Sequence, residues 1–182
     1  SPPLGRIVAV SKLEETIHIE DASYEISCNQ YPGAIYPQGY QYLEHFHLNP
    51  FPTFTYRLRN LLFQKQVFMI YGENSTVVTY GPVAEAISLD VRPLIAYRDY
   101  HHIARQNAFI NAEVQILKGQ VQISPYPDLP PLHIAHDAVR FNSDSDWYFN
   151  IEYPVEAYRG LDSQEDLFCP GTFTFDLERG ES

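Results

Sequence analysis

The sequence predicts an all-β fold, a two-sheet sandwich of antiparallel strands with long functional loops, and three observations carry that expectation. Short runs of period-two alternation recur along the chain with turn residues between them. No window keeps apolar residues at i, i+3, i+4 and i+7 over the roughly 11 residues of an ordinary helix. The 14 prolines, as in Pro50-Phe51-Pro52 and Pro125-Tyr126-Pro127, would interrupt helices repeatedly. Fourteen tyrosines and eleven phenylalanines lean the same way, because their rings favour pleated, half-buried surfaces.

In chain order, Arg6 to Val10 is a weaker strand candidate. Ile17 and Ile19 alternate with His18 and Glu20, and Tyr24 and Ile26 resume after Asp21-Ala22. Lys65 to Ile70 and Thr76 to Tyr80 flank a Gly72-Glu73-Asn74 turn and read as a hairpin. Ile87, Leu89 and Val91 keep the period of two. The clearest hairpin runs from Ala112 to Ser124: Val114 and Ile116 lead into Lys118-Gly119, and Val121 and Ile123 lead out. Leu132 to Phe141 is weaker, and Phe173, Phe175 and Leu177 alternate near the end. Two stretches break the rhythm, Tyr97 to Asn111 and Asn142 to Gly171. They read as long, ordered, aromatic loops and are the expected binding surface. No repeat, low-complexity tract or linker divides residues 1–182, so one domain is expected.

The formal charge of −11, from 23 acidic and 12 basic residues, repels phosphate backbones and anionic bilayers, so neither nucleic acid nor membrane is an expected partner. No apolar run approaches the roughly 18 residues of a membrane-spanning helix. Cys28 and Cys169 sit in no metal or redox spacing; two buried thiols in a reducing cytoplasm are expected. The Ser1-Pro2-Pro3-Leu4 start, with neither initiator Met nor signal pattern, fits an excised domain.

Motifs for chemistry are few. His45 and His47 would share a strand face, as in sheet-borne metal sites, but the spacing of the remaining histidines names no further ligand, and no metal or other cofactor is expected. No nucleophile elbow or phosphate-binding loop occurs, and no catalytic residue is assigned. Glu152, Asp162, Glu165 and Asp166 are dense enough to supply the carboxylate pair of a glycosidase. On so acidic a chain they also read as a solvated or Arg-paired face, with Arg159 able to reach Asp162 or Glu165. Recognition is the better reading. Arg98-Asp99-Tyr100-His101, Trp147-Tyr148-Phe149-Asn150 and Glu152-Tyr153 set rings beside polar groups. Such a mixture matches sugar hydroxyls, which both donate and accept, and equally suits a polar interface between domains.

Beyond these stand Pro3-Leu4-Gly5-Arg6, Ser11-Lys12-Leu13-Glu14-Glu15, Ser27-Cys28-Asn29-Gln30-Tyr31-Pro32, Pro37-Gln38-Gly39-Tyr40 and Gly72-Glu73-Asn74. Asp146-Trp147-Tyr148, Glu152-Tyr153-Pro154, Arg159-Gly160-Leu161-Asp162, Glu165-Asp166-Leu167-Phe168 and Pro170-Gly171 follow. With Arg98-Asp99-Tyr100-His101, this ordered set resembles, nearly end to end, the N-terminal domain of archaeal and bacterial glycogen debranching enzymes of the amylo-α-1,6-glucosidase type. The resemblance implies a super-β-sandwich preceding an (α/α)6 barrel whose carboxylates hydrolyse α-1,6 branch points. The barrel is missing here, as is the Gly-rich Thr-Arg-Arg-Tyr-His-Gly type opening of the family, so the resemblance implies a non-catalytic fragment.

Its expected partners are α-glucan (glycogen, limit dextrin, maltooligosaccharide) and the barrel of the same polypeptide. Arg98, Asp99, Tyr100, His101, Trp147, Tyr148 and Tyr153 are expected to touch sugar or barrel. Arg159, Asp162, Glu165 and Asp166 are expected to hold the second loop together by charge-assisted hydrogen bonds. Two rivals remain: a purely structural cap without sugar contact, and a self-sufficient small hydrolase using Glu152, Asp162 or Glu165.

Overall fold

A computed structural model describes residues 5–180; the Ser1-Pro2-Pro3-Leu4 start lies outside the described residues. The strands are β1 (Ile7–Ile19), β2 (Ala22–Glu25), β3 (Cys28–Tyr31), β4 (Ala34–Gln38), β5 (Leu43–His47), β6 (Thr53–Leu58), β7 (Leu61–Met69) and β8 (Thr76–Tyr80). They continue as β9 (Ile87–Asp99), β10 (Val114–Leu117), β11 (Gln120–Ile123), β12 (Leu132–Ala135), β13 (Arg140–Asn142), β14 (Asp146–Glu152), β15 (Gln164–Cys169) and β16 (Thr172–Leu177). A 3-10 turn spans Gly39–Tyr42, and one short helix, α1, spans Pro154–Tyr158. The expected all-β class holds, with every strand pair antiparallel.

A seven-stranded sheet runs β13-β16-β9-β1-β2, with β15 pairing both β9 and β14. A four-stranded sheet (β5-β6-β7-β8), a three-stranded one (β10-β11-β12) and the β3-β4 hairpin complete the architecture. The long pair β1 and β9 forms the spine, in a register that sets Ile17 opposite Leu89 and Glu15 opposite Val91. One face of that spine presents Ile17, Leu89 and Val91, joined by Phe173 from β16. These pack with Tyr56, Leu58, Leu61 and Phe63 of the four-stranded sheet and with Val121 and Ile123 of the three-stranded one. This is the main sandwich core, and each large side chain buried in it contributes roughly 1.5–3 kcal/mol. The other face carries a smaller cluster of Leu94, Ala96, Ile151, Leu167 and Cys169, against which Tyr31, Tyr148 and Tyr153 pack.

The two hairpins read from alternation are present as β7-β8 and β10-β11, with Val67 opposite Val78 and Ile116 opposite Val121. Residues 142–171 differ from their reading as a loop: they fold as β14, α1 and β15. Two features hid these strands. A register irregularity lies between Tyr148 and Ile151, with Asn150 at φ 57°, so β14 does not alternate cleanly. Strand β15 is buried along most of its length yet holds Glu165 and Asp166, where an apolar pattern would be sought. Pro154 at the first position of α1 starts the helix, because its fixed φ and missing N–H suit that site.

Strand β9 also runs on to Asp99, into the first stretch assigned to a loop. Leu94 to Tyr97 are buried one after another because both faces are covered there, which erases the alternation. Cys28 opens β3 exposed rather than buried, whereas Cys169 is buried; both thiols are free. Among the described residues no helix is long and apolar enough to cross a membrane.

Candidate functional site

The second face of the large sheet brings the two irregular stretches together around a buried carboxylate. Glu165 on β15 is 0% exposed. An unpaired carboxylate at that depth would cost several kcal/mol, so its partners define the site. Arg98 near the end of β9 donates from Nε to Oε1 and from Nη2 to Oε2, the latter at 3.1 Å. The Ala104 N–H donates to Oε1 at 2.8 Å, and the Tyr153 hydroxyl donates to Oε2. Burial works against the Arg98 charge, but its bonds to Glu165 outweigh that and hold the guanidinium above its usual value. Burial, followed by the bond to Glu165, pushes the Tyr153 phenol up to about 12, so it stays a donor across the physiological range.

Asp166, the next residue, holds the neighbouring backbone. It accepts from the N–H groups of Gln106 (3.1 Å) and Asn150 (2.9 Å), and the Arg105 guanidinium stands 3.7 Å away. Its own N–H donates to the Ala104 carbonyl at 3.0 Å. Residues 104–106 are thereby sewn onto β15 by directional bonds, as irregular backbone must be when it is removed from water. Arg98 extends the same stitching through Nη1 to the carbonyls of Asp99 (3.2 Å) and Tyr100 (3.4 Å).

The remaining predicted residues fall into three groups. Asp99, Tyr100 and His101 stand at the rim: the Asp99 carboxylate accepts from the His101 N–H at 2.9 Å, and Arg6 lies 5.7 Å from the centre of the half-exposed Tyr100 ring. Trp147 and Tyr148 turn inward. The indole packs on Phe168 at 5.3 Å beside the main core. Tyr148 packs on the second cluster, where burial chiefly pushes its phenol up to about 12. Arg159 and Asp162 stand apart. Arg159 pairs with Glu156 at 3.3 Å rather than with Asp162 or Glu165, and Asp162 is exposed outside the network.

Further exposed apolar groups lie in the same two segments and were not singled out from the sequence: Phe109, Val155, Tyr158 and Leu161, with Tyr158 93% exposed. Val155 and Tyr158 share one side of α1 at i, i+3, the one pattern that pointed to them.

Sequence reasoning also missed a second buried acidic pair, on β1. Glu15 accepts from Lys65, from the Tyr80 hydroxyl (2.9 Å) and from Ser27 Oγ (3.2 Å). Glu14 accepts from Asn29 Nδ2 at 3.0 Å and meets Lys12 Nζ at 2.8 Å. The segments Ser11 to Glu15 and Ser27 to Gln30, quoted above as sequence motifs, supply these anchors. Elsewhere on the large sheet, Ser23, His18 and Asp90 lie in line at 2.9 and 3.0 Å, with Thr174 donating to Asp90 at 2.8 Å. They form a cross-strand polar ladder along β2, β1, β9 and β16.

Chemically, this arrangement ties residues 98–106 to β15, and Glu165 is enclosed under four donated bonds. Among the described residues no group of three or more His, Cys, Asp or Glu is placed to hold a metal ion. No curated protein and no solved structure gives a significant match to the chain. A family model described as glycogen debranching enzyme N terminal matches residues 1–182, the whole chain. Sequence motifs, sandwich and match agree: the chain belongs to the family of N-terminal domains of glycogen debranching enzymes.

Proposed function

We propose that this domain assists α-glucan recognition and docks on a catalytic (α/α)6 barrel of the same polypeptide, the part that hydrolyses α-1,6 branch points. The observation that carries the reading is the Arg98–Glu165–Tyr153 brace. It locks residues 98–106 against the β14-α1-β15 segment and leaves Tyr100, Val155, Tyr158 and Leu161 exposed beside it. Exposed apolar groups on a rigidly held support are what a docking or stacking surface requires. Arg98 and Tyr153 serve in this reading as positioning residues, and Tyr100 and His101 as contacts. The free thiols and the acidic charge suit a reducing cytoplasm without nucleic-acid or membrane partners.

The test is a pair of exposed substitutions, Tyr100→Ala and Tyr158→Ala, in the full-length enzyme. Weaker turnover of branched dextrin with an unchanged melting temperature is expected. A purely structural cap predicts the reverse, lowered stability with unchanged kinetic constants. Release of glucose from branched dextrin by this chain alone would instead establish a self-sufficient hydrolase.

A further inference from the structure

The β3-β4 hairpin shapes an open cleft of about 520 Å³, lined by Gln30, Gly33, Ala34, Ile35, Gln38 and Tyr40. It is shallow and open to solvent, so a ligand lying in it keeps one face in water. Its walls are fixed by close backbone packing. Gly39 sits so near the preceding segment that a Cβ there would lie 2.1 Å from the Ile26 carbonyl carbon, and its N–H donates to the Ser27 carbonyl at 2.9 Å. Only glycine fits that approach, and it sets Gln38 and Tyr40 on the rim.

The lining carries no charge, on a chain whose net charge is −11. Without a cation it does not attract an anion, and without carboxylate or imidazole it does not hold a metal. What it offers is neutral and two-sided. Gln30 Nε2 donates to the Tyr31 carbonyl, leaving Oε1 as an open acceptor. Gln38 Oε1 accepts from Gln41, leaving Nε2 as an open donor. The exposed Tyr40 adds a ring face and a hydroxyl that donates and accepts, and Ile35 adds an apolar contact. A donor, an acceptor and a ring in one neutral cleft match a polyhydroxylated, uncharged ligand, in which each hydroxyl plays both roles and C–H faces stack on the ring.

The cleft also lies on the side of the large sheet that carries the brace: β3 runs against β14, and Tyr31 packs on the same cluster as Tyr148 and Tyr153. We infer that the Gln30–Gln38–Tyr40 cleft is an α-glucan subsite, separate from the Tyr100 rim, an assignment that rests on α-glucan being the domain's ligand.

Titration of the 182-residue chain with maltoheptaose, followed by calorimetry and by amide NMR shifts, tests it. The expected result is saturable binding with shifts confined to residues 30–41. Tyr40→Ala and Gln38→Ala should each weaken binding about tenfold, the equivalent of about 1.4 kcal/mol. Both side chains are exposed, so the variants should keep the wild-type amide spectrum away from the hairpin, which separates lost binding from lost fold. Wild-type binding that both variants retain at full strength would overturn the subsite while leaving α-glucan as the ligand. Absence of any binding at millimolar maltoheptaose would overturn the subsite together with the reading it rests on.

Discussion

The two faces of the seven-stranded sheet are held by different balances of force. On the inner face Ile17, Leu89, Val91 and Phe173 meet Leu58, Leu61 and Phe63 in a core built from apolar area. On the outer face a smaller apolar cluster is flanked by the buried acids Glu14 and Glu165, each held by directional bonds, whereas the larger inner core holds one such acid, Glu15, bonded to Lys65 and Tyr80. Apolar burial is non-directional, so most of the inner face needs shape and volume from regular strands. Hydrogen bonds to a buried carboxylate demand both distance and angle, so they can hold a strap such as residues 104–106 that no strand ladder would secure. The irregular strap at residues 104–106 sits where the second kind of force dominates.

That contrast can be broken most directly at the brace. Arg98→Ala leaves Glu165 buried without its cation and should cost about 3–5 kcal/mol of unfolding free energy. A loss under about 1 kcal/mol in urea denaturation would show that the brace is not a strut. Leu89→Ala on the inner face should cost about 2–5 kcal/mol by opening a cavity. The two should differ in their local signature. Hydrogen exchange at Ala104 and Gln106 should rise out of proportion to global stability for Arg98→Ala, and in step with it for Leu89→Ala.

A smaller effect is expected from alkali. Tyr153 and Tyr148 are raised from the ordinary value of 10 to about 12, so the folded state keeps protons that the unfolded chain releases first. Their contribution is complete below pH 10 and is lost as the pH rises from about 10 through about 12. Urea midpoints should therefore fall across that window, and the fall should be shallower in Tyr153→Phe. The smallest change belongs to Arg159→Ala. Its pair with Glu156 is solvent-exposed, and the substitution should stay within about 0.5 kcal/mol, where a shift as large as that of Arg98→Ala would erase the distinction between buried and exposed pairs.

How much of this was legible from the sequence varied with how local each feature is. The β10-β11 hairpin is written in Val114, Ile116, Lys118-Gly119, Val121 and Ile123, all within ten residues, and it forms as read. The β7-β8 hairpin is equally self-contained. Strands β14 and β15 were not legible, because Asn150 breaks one alternation and Glu165 and Asp166 place charge in the other. The pairing of Arg98 with Glu165 spans 67 positions, and nothing in the spacing of either residue named its partner. Arg159, three residues before Asp162, looked like the nearer cation but turned back to Glu156 in the helix it caps.

What the sequence alone determined was the all-β class, the two hairpins and, through an ordered set of short motifs, the family. These depend on composition and on neighbours within a few residues, which the chain order records directly. Only the tertiary structure decided that motif residues such as Glu14, Glu165 and Asp166 are buried anchors, that Trp147 turns inward while Tyr158 faces out, and that Gln30, Gln38 and Tyr40 share a cleft. Each of those outcomes depends on what stands opposite a side chain once distant strands are brought together, and a carboxylate becomes an anchor only when its donors arrive with it.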